Sequence, residues 1–241
     1  MNAKRWLIVI SRDTYIHKLI QVRDRKIIKV ITGVRRCGKS TLLEMFKEYL
    51  QKNGVEESCC ISVNFEDIRY EGLKEYHHLY QYISDRLVPG KMNYIFLDEI
   101  QWVPEFQKAV DSLFLLDHTD IYLTGSNAYM LSGEIATLLS GRYIEISMLP
   151  FSFKEYDQMA GVDKRTAFRE YYRKGGFPYA VTITDDEARR DYLTGIYNTV
   201  LLKDIVARNR IADVFLLEAV VRFLFDNVGN IVSSKKIADS L

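Results

Sequence analysis

The sequence has few of the residues that cross-link or interrupt a chain. Its 241 residues include 3 cysteines, 4 prolines and 13 glycines. Three cysteines cannot build a disulfide framework, because Cys59 and Cys60 are neighbours and an odd count leaves one thiol over. The scarcity of proline and glycine argues against long linkers and low-complexity segments. We therefore expect a reduced, cytoplasmic protein that is stabilised by a packed core.

The chain also lacks an excess of one charge and a long hydrophobic run. Lys and Arg number 33 against 32 Asp and Glu, so the net charge is +1. That balance gives no global electrostatic reason to bind nucleic acid or a membrane surface. No apolar run approaches the length of about 18 residues that a transmembrane helix needs. Hydrophobic residues make up 48% of the chain, which is enough for a sizeable core in one or two domains.

Short apolar runs alternate with segments of helical periodicity through the first 150 residues. Five of these runs predict buried strands: residues 27–32, 59–65, 94–97, 121–124 and 143–148. Helical spacing of apolar residues predicts helices over 39–51, 73–87 and 104–114. Apolar strands that alternate with helices indicate an α/β fold with a parallel five-stranded sheet covered on both faces. In such sheets ligands bind at the carboxyl ends of the strands.

The strand signal fades after Phe151. Residues 152–174 and 185–205 have helical patterns, and the sharp break Gly175-Gly176-Phe177-Pro178 lies between them. A further helix is indicated from Leu216 to Leu224. We therefore predict three parts: a core with an N-terminal helix over residues 1–150, a helical lid over residues 151–208, and the start of another segment over residues 209–241.

Residues Gly33 to Ser40 match the phosphate-binding pattern G-x-x-x-x-G-K-[ST] without a mismatch. The two glycines let the backbone fold around a phosphate with its N–H groups pointing inward, and the helix that follows presents its positive end to the same anion. Lys39 is expected to reach the β- and γ-phosphates, and the Ser40 hydroxyl to ligate Mg²⁺. We interpret the variable loop positions as solvated or packing residues rather than as direct phosphate ligands: Arg35, Arg36 and Cys37.

An acidic pair ends the third predicted strand. A carboxylate such as Asp98 at the tip of an apolar strand can hold Mg²⁺ through a water molecule. The adjacent Glu99 can orient or deprotonate the water that attacks the γ-phosphate. The guanine motif Asn-Lys-x-Asp of Ras-type GTPases is absent, and the second acid indicates hydrolysis of ATP instead.

Two further motifs each have two interpretations. Thr124-Gly125-Ser126-Asn127 ends the fourth predicted strand. A polar side chain there can sense the γ-phosphate, or the residues simply form a turn. Arg142 precedes the fifth strand, where it is either an arginine finger for the transition-state charge or a surface arginine.

The motifs occur in an order that resembles a known family. The runs are Ile-Thr-Gly-Val-Arg-Arg-Cys-Gly-Lys-Ser-Thr, Phe-Leu-Asp-Glu-Ile-Gln, Leu-Thr-Gly-Ser-Asn-Ala, Leu-Ser-Gly-Arg with Leu-Pro-Phe-Ser-Phe-Lys-Glu-Tyr, and Gly-Gly-Phe-Pro. Together they resemble the prokaryotic AAA-type ATPases that carry a C-terminal domain of unknown function, DUF4143. The resemblance covers residues 10–241.

The resemblance implies a P-loop fold and a role for each motif. Gly33 to Thr41, with Val34 among its members, becomes the Walker A loop that binds ATP or ADP. Asp98 and Glu99 become the Walker B pair, with Ser40 and Asp98 as the Mg²⁺ ligands. Ser126 or Asn127 becomes the first sensor, and Arg142 the arginine finger.

The resemblance also implies that the chain ends early. Family members continue through a winged-helix-like segment and the C-terminal domain, and Gly229 to Leu241 resembles the opening of that segment, cut short. The activity expected is Mg²⁺-dependent ATP hydrolysis. If Arg142 acts on the site of a second copy, the active form is a homo-oligomer. The alternative is a STAND-like, nucleotide-switched binding module with little turnover. A third hypothesis is association with DNA through a helix-turn-helix-like tail, residues 216–241, and its alternative is that this tail is an ordinary helical packing element. The sequence offers no support for a particular protein partner.

Overall fold

Five parallel strands form the centre of the protein in a computed structural model, which describes residues 10–126, 139–206, 211 and 213–240. The strands are β1 (Ile28–Gly33), β2 (Cys60–Asn64), β3 (Asn93–Asp98), β4 (Thr119–Ser126) and β5 (Tyr143–Met148). They lie in the order β2-β3-β4-β1-β5, and every pair is parallel. The five predicted strands and the α/β fold class are confirmed.

Helices cover both faces of this sheet. In chain order they are α1 (Asp13–Val22), α2 (Lys39–Lys52), α3 (Tyr76–Ser84) and α4 (Phe106–Leu115). Successive side chains of a strand point to opposite faces. Val30 on β1 therefore packs with residues of α3 and α4, and Ile31 packs with residues of α1 and α2. Every residue of β1 and β3 is buried, as their continuous apolar sequence predicts.

The region after β5 is helical, but its helices are shorter than the periodicity predicts. They are α5 (Phe153–Ala160), α6 (Lys164–Lys174), α7 (Pro178–Thr182) and α8 (Asp186–Asn198). The single helix expected over 152–174 is divided because Gly161 adopts a φ of 61°, which ends α5. Asp163 then starts α6 by accepting hydrogen bonds from the backbone N–H groups of Arg165 and Thr166.

The chain divides into two compact units, Met1–Tyr192 and Leu193–Leu241. The second unit contains the end of α8, a π-helical turn (Thr199–Val206), α9 (Val214–Asp226) and α10 (Ser234–Ala238). The helix expected from Leu216 to Leu224 is confirmed as part of α9. The lid predicted over residues 151–208 includes residues of both units, and its role stays a prediction.

Cys37, Cys59 and Cys60 are all free thiols, as the cysteine pattern predicts. Within the described ranges, no helix combines the length and the apolar character needed to cross a membrane.

A buried ion pair lies near the amino end of the sheet. Lys29 on β1 pairs with Asp120 on β4, and neither side chain is more than 1% exposed. The Asp120 carboxylate also accepts hydrogen bonds from the Asp24 N–H (2.9 Å) and the Tyr122 hydroxyl (2.8 Å). Burial raises the pKa of Asp120 and lowers the pKa of Lys29, so each charge depends on its partners. The cluster ties β1, β4 and the turn before β1 together.

The substitution Lys29→Met should lower the free energy of unfolding by about 3–5 kcal/mol, because it leaves the buried Asp120 carboxylate without its counter-ion. Urea denaturation followed by circular dichroism measures the change. The control is Lys52→Met, which removes the exposed pair between Lys52 and Glu48 (3.9 Å). That change should cost less than about 0.5 kcal/mol. Equal losses in the two variants would contradict the role of the buried pair.

Candidate functional site

The predicted loop residues, the acidic pair and Ser126 meet at the carboxyl edge of the sheet. The loop from Gly33 to Ser40 follows β1, and Asp98 ends β3. β4 lies between these two strands, and its last residue, Ser126, pairs with Gly33. Because neighbouring strands are about 4.8 Å apart, the loop and the acidic pair start about 10 Å apart, a gap that side chains can bridge.

The backbone of the loop requires both of its glycines. A Cβ on Gly33 would overlap the backbone carbonyl oxygen of Met148. Gly38 adopts a φ of 103°, which side chains disfavour, and it is the N-cap of α2. The loop therefore leads directly into the first turn of α2, where the free backbone N–H groups form a site for an anion.

The other loop residues differ in burial. Cys37 packs in the core between the sheet and α2, and burial raises the pKa of its thiol. Val34 and Arg35 are half-buried, whereas Arg36 and Thr41 are exposed. Arg36 has a φ of 66°, so the loop reverses direction at this residue.

The side chain of Lys39 turns back into the loop. Its Nζ donates hydrogen bonds to the carbonyl oxygens of Gly33 (3.2 Å) and Val34 (3.3 Å). The same atom lies 3.6 Å from Glu99 Oε1, and the Lys39 side chain is only 3% exposed. A buried ammonium thus lies among three oxygen atoms, one from the acidic pair and two from the loop.

Asp98 is linked to both neighbouring elements of the site. Its carboxylate accepts hydrogen bonds from the hydroxyl groups of Thr124 on β4 and Ser40 at the start of α2. Burial raises the pKa of Asp98, and these two hydrogen bonds oppose that shift. Its partners therefore offset only part of the cost of burying the Asp98 carboxylate, and a cation would stabilise it further.

The Ser40 and Asp98 oxygens fit a magnesium ion. Mg²⁺ prefers hard oxygen ligands and is held in proteins by one or two carboxylates together with waters and substrate phosphates. A hydroxyl oxygen and a buried carboxylate, already in contact, supply that donor set. Among the described residues there is no group of three or more His, Cys, Asp or Glu side chains that could hold a metal ion alone.

Glu99 is held by its backbone and by both of its carboxylate oxygens. It adopts the left-handed conformation (φ 56°, ψ 47°), and its N–H donates to Thr124 Oγ1 (2.9 Å). Lys39 faces Oε1, and Gln101 Nε2 donates a hydrogen bond to Oε2. The carboxylate therefore points toward the loop, as its expected role requires.

Thr124 is a site residue that the sequence did not reveal by itself. Its single hydroxyl donates to Asp98 and accepts from the Glu99 N–H, so it positions both acids. The sequence singled out the motif of Thr124 but assigned the function to its later residues, Ser126 and Asn127. The missing information was that β3 and β4 are neighbours with Leu97 opposite Leu123, which places Thr124 beside Asp98.

Arg12 is a second residue that the sequence did not single out. Its guanidinium forms an ion pair with Glu155 on α5 (2.9 Å) and donates to the carbonyl oxygens of Leu149 (2.6 Å) and Cys37 (3.4 Å). Its Cζ atom also lies 4.8 Å from the centroid of the Tyr15 ring and 5.0 Å from that of the Phe151 ring. Arg12 therefore links the start of α1 to the loop and to the segment after β5.

Of the remaining two predicted site residues, the structure describes one, Arg142, and that residue lies apart from this cluster. Asn127 is outside the described residues. Arg142 precedes β5, is exposed, and accepts the Ile28 N–H at its carbonyl oxygen (2.9 Å), at the amino end of β1. Since β1 has six residues of about 3.3 Å rise each, Arg142 is separated from Gly33 by the length of the strand.

Two family models match the sequence. A model described as an AAA domain matches residues 25–157, and a model described as a domain of unknown function, DUF8612, matches residues 165–241. The expected association with DUF4143 is therefore wrong. All but one of the motifs behind that expectation lie in the AAA part, so they carried little information about the C-terminal domain.

The chain is similar to proteins of bacteria and archaea. An uncharacterised protein of Haemophilus influenzae is 41% identical over 239 residues, which are 97% of this chain and 60% of that protein. An uncharacterised protein of Methanocaldococcus jannaschii is 31% identical over 249 residues, with coverage of 97% and 53%. The chain thus spans between half and two thirds of these relatives, and its expected truncation stays a prediction.

The fold, and no more than the fold, is supported by similarity to a solved structure. It is a Walker-type ATPase of Pyrococcus abyssi, which is similar to this structure with a TM-score of 0.55 and 15% sequence identity. The match covers 96% of this chain and 87% of that chain.

The substitution Thr124→Val should lower the free energy of unfolding by about 1–3 kcal/mol, because an isosteric methyl group removes the partner of the Glu99 N–H and one of the two hydroxyl donors to Asp98. Urea denaturation measures the loss. Thr182→Val is the control, since the exposed Thr182 hydroxyl bonds only the Tyr179 carbonyl (2.7 Å) in its own helix. A Thr124→Val protein as stable as this control would show that the hydroxyl does not support the acidic pair.

Proposed function

The chain belongs to the family of AAA domains, and from this premise we propose that it is a Mg²⁺-dependent ATPase. One observation carries the proposal. Lys39 Nζ lies 3.6 Å from Glu99 Oε1, in a space where the two side chains are 3% and 9% exposed. A cation suited to phosphate and a carboxylate suited to accept a proton therefore occupy one buried site at the end of the sheet.

In this proposal the loop binds the triphosphate. The backbone N–H groups of residues 33–41 and the N-terminus of α2 surround the phosphates, as the conformation of the loop allows. Lys39 moves from the carbonyl oxygens of Gly33 and Val34 to the β- and γ-phosphates, because phosphate oxygens carry more negative charge than carbonyl oxygens. Cys37 stays in the core and keeps the loop against the sheet.

Ser40 and Asp98 hold Mg²⁺ in this proposal. When bound, the ion would supply positive charge opposite the negative charge of the phosphates. The Ser40 hydroxyl and the Asp98 carboxylate are the two groups that would hold the ion. Thr124 keeps the carboxylate of Asp98 in place through its hydrogen bond.

Glu99 accepts the proton of the attacking water. The water oxygen forms a bond to the γ-phosphorus, while the bond from that phosphorus to the oxygen bridging to the β-phosphate breaks. ADP leaves with the electron pair of the broken bond, and the proton given up by water goes to the Glu99 carboxylate. The products are ADP, inorganic phosphate and a proton that Glu99 later releases to solvent.

We assign the sensor and lid roles on placement. Ser126 ends β4 and pairs with Gly33, so the sensor, Ser126 or the next residue in the sequence, Asn127, is assigned to the strand end beside the loop. In the first unit, the space beside Gly38 is bounded by the side chains of Met148 and Pro178, the first residue of α7. The segment after β5 therefore reaches the loop, which supports a lid that responds to nucleotide.

Arg142 acts on the site of a second copy in this proposal. Its place at the amino end of β1 puts it a full strand length from the loop of its own chain. It is exposed at the surface, with its guanidinium 5.9 Å from the Phe114 ring. An arginine so placed reaches γ-phosphate charge only across an interface, so the active form is a homo-oligomer.

The wild-type protein should hydrolyse ATP with Mg²⁺, and Lys39→Ala and Glu99→Gln should each reduce kcat by about 100-fold or more. Lys39→Ala should also weaken ATP binding, because it removes the cation of the loop. Phosphate release measured at saturating ATP checks both effects. The control is Lys52→Ala, an exposed lysine on the same helix, which should match the wild type. Equal rates in all four proteins would refute the assignment.

The same assay separates the alternative function. A nucleotide-switched, STAND-like module would show slow single-turnover hydrolysis and tight retention of ADP. Duplex DNA added at low salt tests the hypothesis that residues 216–241 associate with DNA. If the DNA neither binds to the protein nor stimulates its turnover, that hypothesis is eliminated.

Mixing Arg142→Ala with Glu99→Gln protein should restore part of the ATPase activity that each has lost. In mixed oligomers, an intact Glu99 site of the first variant meets an intact Arg142 from the second. Activity as a function of mixing ratio, measured at fixed total protein, tests this expectation. Absence of rescue at every ratio would show that Arg142 is not supplied across an interface.

A further inference from the structure

The two carboxylate oxygens of Glu99 have different partners. Oε1 faces Lys39 Nζ at 3.6 Å, whereas Oε2 accepts a hydrogen bond from Gln101 Nε2. Lys39 has a second task in the proposed function, since it binds phosphate. Gln101 has no such task, so its contact with Glu99 calls for its own explanation.

The amide of Gln101 is oriented by Glu99. A carboxylate can only accept hydrogen bonds, so the NH₂ group of the amide must face it. The opposite atom, Gln101 Oε1, is buried and has no hydrogen-bond partner among the described residues. A buried, unsatisfied amide oxygen is unfavourable. The amide therefore keeps its contact with Glu99 even though its oxygen is left unpaired.

The backbone holds Gln101 in a rigid turn. A short 3₁₀ helix, Ile100–Trp102, follows Glu99, and the Trp102 N–H donates to the Glu99 carbonyl oxygen (3.2 Å). Ile100 and Val103, on either side, are fully buried in the core cluster of α3 and α4. Gln101 is thus anchored to the sheet independently of the loop that carries Lys39.

We propose that Gln101 is a positioning residue that holds Oε2 of Glu99 while Oε1 exchanges its partner from Lys39 to the attacking water. The inference rests on the proposed function. In the structure described here, Lys39 and Gln101 together hold the carboxylate from two sides. When phosphates draw Lys39 away, Gln101 retains Oε2, so Oε1 is free to accept the proton without a search for its orientation.

If Gln101 holds Glu99 in this way, nucleotide binding and the chemical step should respond differently to its loss. Gln101 contacts Glu99 and not the loop, so it should affect the chemical step and leave nucleotide binding unchanged. A residue that only filled space would instead alter the stability of the site, and with it both binding and turnover. The ratio of the effects on kcat and KM therefore distinguishes positioning from packing.

The test uses Gln101→Met and Gln101→Glu. Met keeps the length of the side chain without a strong hydrogen-bond donor, and Glu keeps the shape but places a like charge beside Glu99. We expect kcat for ATP to fall about 10- to 100-fold in Gln101→Met and further in Gln101→Glu. KM should stay within about twofold of the wild type.

Two measurements keep the result interpretable. Titration with N-methylanthraniloyl-ATP should give dissociation constants within about twofold of the wild type, which also shows that the site is folded. The matched controls are Gln81→Met and Gln81→Glu, since the exposed Gln81 donates to the Asp85 carboxylate (2.6 Å) on α3, away from the site. Both controls should retain wild-type kcat.

The outcomes separate this inference from the proposed function. An unchanged kcat in the Gln101 variants, with a wild type that hydrolyses ATP, overturns the inference and leaves the ATPase assignment intact. A fall in kcat with an equal loss of analogue binding, or with equal effects in the Gln81 variants, also overturns it. A wild type without turnover refutes hydrolysis, and the role of Gln101 is refuted with it.

Discussion

The site depends on a buried ammonium group. Lys39 extends from the first residue of α2 back into the loop, where its Nζ contacts two carbonyl oxygens and the Glu99 carboxylate. An ammonium carries three donors and is costly to bury without acceptors. The loop must therefore fold so that its own carbonyl oxygens face the lysine, and the two glycines allow that conformation.

The acidic pair extends the same principle across the sheet. Asp98 and Glu99 are 6% and 7% exposed, and burial of a carboxylate is unfavourable unless hydrogen bonds or cations compensate for it. Hydroxyl and ammonium groups from β4 and α2 provide that compensation. Because β4 lies between β1 and β3, the order of strands decides which groups meet. In the proposed function a phosphate would take over Lys39, whereas the Thr124 hydroxyl would keep its hydrogen bond to Asp98.

The two edges of the sheet use buried charge differently. At the amino edge, Lys29 and Asp120 satisfy each other and the turn before β1, so that cluster holds structure together. At the carboxyl edge, Lys39 has two neutral carbonyl oxygens as partners and a carboxylate 3.6 Å away. In the proposed function, phosphate oxygens replace these carbonyl oxygens. Arg12 joins the carboxyl edge to the segment after β5 through Glu155 and two carbonyl oxygens. Arg12 therefore connects the loop directly to α5, the first helix after β5.

The sequence by itself determined the elements and the local chemistry. Apolar runs predicted all five strands, and the loop motif predicted a phosphate site, because both signals lie within short stretches of chain. Helix ends were less certain, since the cap at Asp163 and the break at Gly161 interrupt an otherwise helical pattern. Only the tertiary structure placed Thr124 beside both acids, turned Gln101 toward Glu99, and put Arg142 a strand length from the loop. The positions of Thr124 and Arg142 depend on strand order and register, because hydrogen bonds between neighbouring strands join residues that are far apart in the chain. The orientation of Gln101 depends on the 3₁₀ helix Ile100–Trp102 and on the packing of that helix in the core.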